Sequence, residues 1–215
     1  MRHTLVVATQ NAGKLAELRA LLAALPVTVL SSDEVLTRTV TVVEDGETFA
    51  ENATKKAVAI ARATMMLTLA DDSGLEVDAL GGAPGVRSAR YAHSRATDGE
   101  NNAALLAALS SLADEEAVFR ARFRCVLALV DPIVSFEPYL VEGVCEGRIL
   151  IAPRGSGGFG YDPLFLVEGR DKTMAELDDT EKNAISHRGR AFQTLRLVLE
   201  RALLARDTVA RTIEE

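Results

Sequence analysis

Several short stretches of this 215-residue chain carry residues that could do chemistry. Leu67-Thr68-Leu69-Ala70 is an apolar run that breaks into Asp71-Asp72-Ser73-Gly74, so two carboxylates and a hydroxyl arrive where a buried strand gives way. Open α/β sheets place their ligands just beyond such strand ends. Neighbouring strand residues point to opposite faces, so only one aspartate can aim at a given ligand while the chain stays extended. Turn chemistry accounts for the same four residues equally well, with Asp and Ser bonding local backbone and Gly74 supplying a positive φ. Thr9-Gln10-Asn11-Ala12-Gly13-Lys14 joins a buried strand to a helix, and would direct free N–H groups, the helix dipole and an ammonium at one point. That combination suits a phosphate. It is not a P-loop, because Ala8 stands at the first glycine and Leu15 at the magnesium-binding Ser or Thr. An ordinary turn with a solvated lysine is the simpler account of this stretch taken alone.

Two further clusters complete the set. Glu44-Asp45-Gly46-Glu47 offers three carboxylates to a hard cation, although acidic surface turns of this kind are common. Arg154-Gly155-Ser156-Gly157-Gly158-Phe159-Gly160-Tyr161-Asp162-Pro163 lets backbone approach a ligand closely, while Phe159 and Tyr161 provide flat faces on which a base could stack. A buried aromatic turn is the competing reading. Lys182, His187 and Arg188 add donors just before a long helix.

The elements that must position these residues are alternating strands and helices. Leu5 to Ala8 reads as a strand, and Leu15 to Leu25 as a helix with leucines at 15, 18, 22 and 25 on one face, ended before Pro26. Thr28 to Val43 is rich in β-branched residues and suits short strands with a helical turn near Asp33 to Leu36. Thr48-Phe49-Ala50-Glu51 has capping-box spacing and opens a helix to about Met65, on which Lys55 and Lys56 read as solvated, although either could reach a phosphate. Thr97-Asp98-Gly99-Glu100 repeats that spacing before Leu105, Leu109 and Leu112, and Thr173 to Glu176 repeats it again. Phe119 to Leu129 alternates apolar residues with Arg120, Arg122 and Arg124, a strand with one wet face. Tyr139 to Ile151 supplies one or two strands interrupted at Gly143 and Gly147. Phe192, Leu195, Leu199 and Leu203 mark the last helix, and the final ten or so residues read as a polar tail.

Composition bounds the function. With 48% hydrophobic residues the chain buries a substantial core as one domain, and its net charge of −7 disfavours a broad hold on nucleic acid or an anionic membrane. Cys125 and Cys145, twenty residues apart within apparent strands, suit reduced core positions. No apolar run approaches membrane-spanning length, and the amino terminus turns polar at Thr9, so a soluble, cytoplasmic protein is expected.

Taken together and in order, Val7 to Lys14, Thr48 to Lys56, Ala70 to Gly74, Gly81 to Tyr91, Gly158 to Pro163 and Ala184 to Gly189 resemble the inosine/xanthosine triphosphate pyrophosphatase family. Gln10 departs from the family pattern, which has glycine before the asparagine. The resemblance implies an α/β fold, a bilobed single domain over residues 1–206 with a long mixed sheet flanked by helices and a cleft between the lobes, followed by a tail at 207–215. It implies a homodimer with Mg2+ as cofactor, cleaving ITP, dITP and XTP to the monophosphate and pyrophosphate and so cleansing the nucleotide pool. By the same resemblance Asp72 is the general base and a metal ligand, and Glu44 the second metal position. Thr9, Gln10, Asn11, Ala12, Gly13 and Lys14 cradle the phosphates, and Ser73 adds a hydroxyl. Phe159 stacks the base, and Gly160, Tyr161, Asp162, Lys182, His187 and Arg188 complete the nucleoside pocket. Hypoxanthine and xanthine present a 6-keto acceptor where adenine presents a donor, so Lys and Arg donors would reject adenine by leaving a charge unpaired. Two alternatives stand beside this reading: a nucleotide sensor without turnover, and a related pyrophosphatase acting on other modified nucleotides.

Overall fold

The computed structural model describes residues 2–112 and 119–214. Its strands form one six-stranded mixed sheet in the order β2-β1-β3-β4-β5-β6, comprising β1 (His3–Ala8), β2 (Val27–Ser31), β3 (Leu67–Val77), β4 (Phe119–Asp131), β5 (Ser135–Ile149) and β6 (Phe165–Val167). β1 runs parallel to both β2 and β3, and β5 pairs antiparallel with β6. The helices are α1 (Ala12–Leu22), α2 (Ser32–Val35), α3 (Phe49–Thr64), α4 (Asp98–Ser110), α5 (Asp179–Ile185) and α6 (His187–Glu214). The chain divides into two compact units, the first holding residues 1–72, 126–142 and 190–215, the second 73–125 and 143–189.

In the first unit, β1 buries Leu5, Val6 and Val7 completely, the continuous apolar run expected of a parallel strand covered on both faces. α3 packs on β1 through a face in which Ala53, Ala57 and Ala61 recur every fourth residue, all fully buried. α1 starts three residues before the expected helix and ends at Leu22. The cause is local: Asn11 Oδ1 accepts the Lys14 N–H at 2.9 Å, so Ala12, Gly13 and Lys14 become the first helical turn rather than loop. After β2, α2 supplies the anticipated helical turn, but residues 36–46 form no regular structure. The segment read as a tail is helical as far as Glu214, and Asp207 on α6 meets His3 of β1 at 3.0 Å.

The second unit closes around Leu75, Val77, Leu105, Leu109, Phe119, Phe123, Ile149, Tyr161, Leu164 and Phe165, with the Phe123 and Phe165 rings 4.5 Å apart. β3 does not end at the aspartates; it runs on to Val77. Gly74 therefore makes no turn. It is glycine because a Cβ there would lie 2.4 Å from Ser88 Oγ and 2.5 Å from the Gly85 carbonyl, where a 3₁₀ stretch (Gly85–Arg90) crosses the strand. β5 is likewise unbroken, and Gly147 within it yields its side-chain space to the Phe165 ring, 2.5 Å from where a Cβ would be. Cys125 and Cys145 are buried free thiols.

Candidate active site

In the first unit the two aspartates of β3 point to different partners, as the pleat requires. Asp71, wholly buried, pairs with Lys14 of α1 at 2.7 Å. Asp72 takes Lys56 of α3 at 2.8 Å through Oδ1, and the same ammonium reaches Glu44 at 2.7 Å. Lys56 is thus not solvated but a buried bridge between two carboxylates. Its neighbour Lys55, one position round the helix, points to solvent and Asp45. The signal in the sequence was Asn52, four residues before Lys56 and so on the same helix face. Asn52 is fully buried, and its Oδ1 accepts the Gly46 N–H at 2.8 Å, tying the acidic turn that carries Glu44 to α3. A Cβ at Gly46 would sit 2.7 Å from that oxygen. Glu51 serves the same turn by accepting the Glu47 N–H, while Thr48 caps the helix.

Burial and charge push this carboxylate pair apart. Burial lifts the Asp72 carboxyl above its ordinary value against the pull of Lys56 and Lys14, and the Glu44 charge adds to the rise. Burial also presses Glu44 upward, but Lys56 outweighs it and holds Glu44 below its ordinary value. For Lys56, burial opposes the charge, yet Asp72 and Glu44 prevail and keep it protonated. Two carboxylates with opposed shifts are the arrangement by which one becomes a proton acceptor and the other a fixed charge.

The same pair fits a hard cation. Asp72 Oδ2 is buried and makes no hydrogen bond, which leaves one costly unpaired oxygen beside the Glu44 carboxylate. Magnesium takes one or two carboxylates and fills the rest of its octahedron with water and phosphate oxygens. No group of three or more His, Cys, Asp and Glu able to hold a metal occurs among the described residues.

The remaining phosphate candidates occupy the β1–α1 junction. Thr9 Oγ1 accepts the Asn11 N–H at 3.2 Å, Asn11 caps α1, and Gln10, Asn11 and Ala12 are exposed, with Gly13 half-buried behind them. Lys14 differs from the expectation of a free ammonium in that Asp71 already holds it.

In the second unit, Ser73 Oγ accepts a hydrogen bond from Arg188 at 2.9 Å, and Arg188 is only 1% exposed. Lys182 pairs with Asp162 Oδ2 at 2.6 Å, and that oxygen also accepts the Phe159 N–H at 2.9 Å. Gly158 permits this: it adopts φ +70°, and a Cβ there would fall 2.1 Å from Asp162 Oδ2. The Phe159 ring, half-buried, has the Lys182 ammonium 4.9 Å and the Arg188 guanidinium 5.9 Å from its centroid. Tyr161, read as a second stacking face, is instead core; its ring is buried and its hydroxyl donates to the Ser88 carbonyl at 2.8 Å. His187 is buried and stacks on Phe123 at 4.9 Å. Gly189 fits because the α5 backbone passes there, with the Asn183 carbonyl 1.8 Å from where a Cβ would be. Four of the expected nucleoside-pocket residues, Phe159, Asp162, Lys182 and Arg188, therefore form one connected cluster, and Ser73, expected beside the phosphates, is joined to it through Arg188.

A model of the Ham1 family matches residues 5–198. The chain is 53% identical over 192 residues to the dITP/XTP pyrophosphatase of Geobacter sulfurreducens, covering 89% of this chain and 94% of that one. It is 46% identical over 200 residues to the dITP/XTP pyrophosphatase of Coxiella burnetii, covering 93% and 98%. Among solved structures, a HAM1 protein from Coxiella burnetii superposes with a TM-score of 0.80 at 45% identity, over 92% of this chain and 98% of that one. The Ham1 protein of Staphylococcus aureus gives 0.78 at 39% identity, over the same shares.

Proposed function

The chain belongs to the Ham1 family, and we propose that it hydrolyses ITP, dITP and XTP between the α and β phosphates, releasing the nucleoside monophosphate and pyrophosphate. Relatives about half identical to it over nearly their whole length are dITP/XTP pyrophosphatases. The observation that carries the reading is Asp72, whose Oδ1 is held by Lys56 while the buried Oδ2 has no hydrogen-bond partner beside Glu44. An oxygen so placed accepts the proton of an attacking water, and burial makes the carboxylate a stronger base than one in bulk solvent. Bound through Asp72 and Glu44, Mg2+ would supply positive charge against that growing on the departing pyrophosphate. Lys56 orients both carboxylates. Thr9, Gln10, Asn11, Ala12, Gly13 and Lys14 present the α1 amino terminus to the phosphates.

The cluster of the second unit reads the base. Phe159 stacks it, and Lys182 and Arg188 donate towards a 6-keto oxygen, the feature that hypoxanthine and xanthine share and adenine lacks. Asp162 and Ser73 fix those two cations, Gly160 shapes the loop, Tyr161 anchors it in the core, and His187 anchors the start of α6 against Phe123. In sequence the two sets adjoin, Asp72 closing the first unit and Ser73 opening the second. The matched span lies inside residues 1–206, which we assign to the pyrophosphatase domain. We further infer a homodimer acting in the cytoplasm on the nucleotide pool; no helix among the described residues is long and apolar enough to cross a membrane. Light scattering on the purified protein tests the dimer.

The deciding experiment incubates the protein and Mg2+ with ITP, XTP, GTP and ATP and identifies the products. Inosine monophosphate and pyrophosphate from ITP, with ATP nearly untouched, are expected. A nucleoside diphosphate with orthophosphate would overturn the assigned bond.

A further inference from the structure

The residue that follows Phe159 is held at both ends by one helix. Gly160 N–H donates to Asp98 Oδ2 at 2.7 Å, and the Gly160 carbonyl accepts from Asn102 Nδ2 at 3.0 Å. Asp98 and Asn102 lie four apart in the first turns of α4 and so share a face. Gly160 stands at φ +60°, yet nothing lies within 4 Å of a Cβ built on it. Glycine is needed there for its backbone angle, not for space, and the two α4 side chains are what hold that angle. On the other side of Phe159, Asp162 Oδ2 takes the Phe159 N–H. The orientation of the Asn102 amide is dictated by the loop as well, because its own Oδ1 is left buried without a hydrogen bond.

We propose that Asp98 and Asn102 are positioning residues for base recognition: by clasping the Gly160 backbone they fix the plane of Phe159 relative to Lys182 and Arg188, and so set affinity for the purine without touching it. The proposal rests on the reading of Phe159 as the base-stacking residue. α4 carries no recognisable binding motif, yet its first turn governs how tightly and how selectively the base is held. A helix-borne clasp is suited to this, because side chains on a rigid element hold a loop more accurately than the loop holds itself.

Two measurements on Asp98→Ala, Asp98→Asn and Asn102→Ala test it. First, hydrogen exchange of the Gly160 amide in ligand-free protein should quicken at least about tenfold in Asp98→Ala, while Asp98→Asn, which keeps an acceptor oxygen, stays closer to wild type. Second, KM for ITP should rise about tenfold in Asp98→Ala with kcat changed by less than about threefold, and the ITP-to-ATP preference should narrow. Competitive inhibition by magnesium tripolyphosphate, which has phosphates but no base, should be unchanged. Equal weakening of tripolyphosphate and ITP would make α4 a general scaffold and overturn the proposal, as would unchanged exchange at Gly160. Quickened exchange in Asp98→Ala together with no hydrolysis of ITP by the wild-type protein would instead overturn the proposed function and leave the clasp as a structural fact.

Discussion

Two buried lysine–carboxylate pairs in this molecule differ in one respect. In the second unit Asp162 Oδ2 is shared between Lys182 and the Phe159 amide, and Asp162 has no buried oxygen without a partner. In the first unit Asp72 is engaged through one oxygen only, and the other is buried with no hydrogen bond. A satisfied buried ion pair fixes geometry, whereas one with an idle oxygen forgoes stability and keeps a reactive lone pair. The Lys182–Asp162 pair therefore belongs to holding and the Lys56–Asp72 pair to chemistry. This explains why the neighbouring groups of Asp72 include a second carboxylate, Glu44, while those of Asp162 include an aromatic ring.

The contrast breaks most visibly at Asp72. Asp72→Asn keeps the shape and removes the basic oxygen, so kcat for ITP is expected to fall about 10²- to 10⁴-fold. Its unfolding free energy should stay within about 1 kcal/mol of wild type, because Lys56 retains Glu44. Turnover near wild type would remove Asp72 from the mechanism. The converse change is Lys182→Met, which strands Asp162 in the core. Here stability should drop by about 3–5 kcal/mol, measured by urea unfolding. A loss below about 1 kcal/mol would mean that Asp162 is not held as its 2.6 Å contact with Lys182 implies. Between these lies Phe159→Ala, which leaves both ion pairs formed. It should raise KM for ITP by about 10- to 100-fold, the loss of one base–aromatic stack, with little change in stability. Unchanged KM would move base recognition elsewhere.

How much of this was legible beforehand follows from what each motif needed. β1, α3 and β4 announced themselves through local pattern, a buried apolar run, a capping residue and strict alternation, and each stands where that pattern put it. The resemblance to triphosphate pyrophosphatases likewise agrees with the Ham1 match. What escaped was set by long-range contact. Gly74 and Gly147 looked like breaks, yet each is a glycine inside a strand that gives way to a side chain or backbone from a distant segment. Lys56 looked solvated because its partners, Glu44 and Asp72, lie 12 and 16 residues away. α1 differs for the opposite reason: its cap is local, but the Asn11 side chain that caps the helix suits a phosphate turn equally well. Asp98 lay within a capping-box stretch and Asn102 in a plain helix, and neither signalled a binding role, since their partner is backbone 62 and 58 residues on.

Tyr161 sharpens the comparison through pH, at the smallest scale. It and Phe159 sit two apart in one loop, yet only Tyr161 is buried with its hydroxyl bonded to backbone. Burial, reinforced by the charges of Tyr91 and Asp98, holds its phenol well above the ordinary value. The unfolded chain therefore releases this proton first, near pH 10. The contribution is intact below about pH 10 and is lost as pH rises towards the folded value, with a limiting slope of about 1.4 kcal/mol per pH unit. Tyr161→Phe should cost about 1 kcal/mol at pH 8, from the lost hydrogen bond to Ser88. Above pH 10 the variant should lose stability less steeply than wild type, so the two curves converge. Urea unfolding of both proteins between pH 8 and 11 makes the comparison, and parallel curves would mean that the phenol titrates alike folded and unfolded, contrary to its buried place in the core.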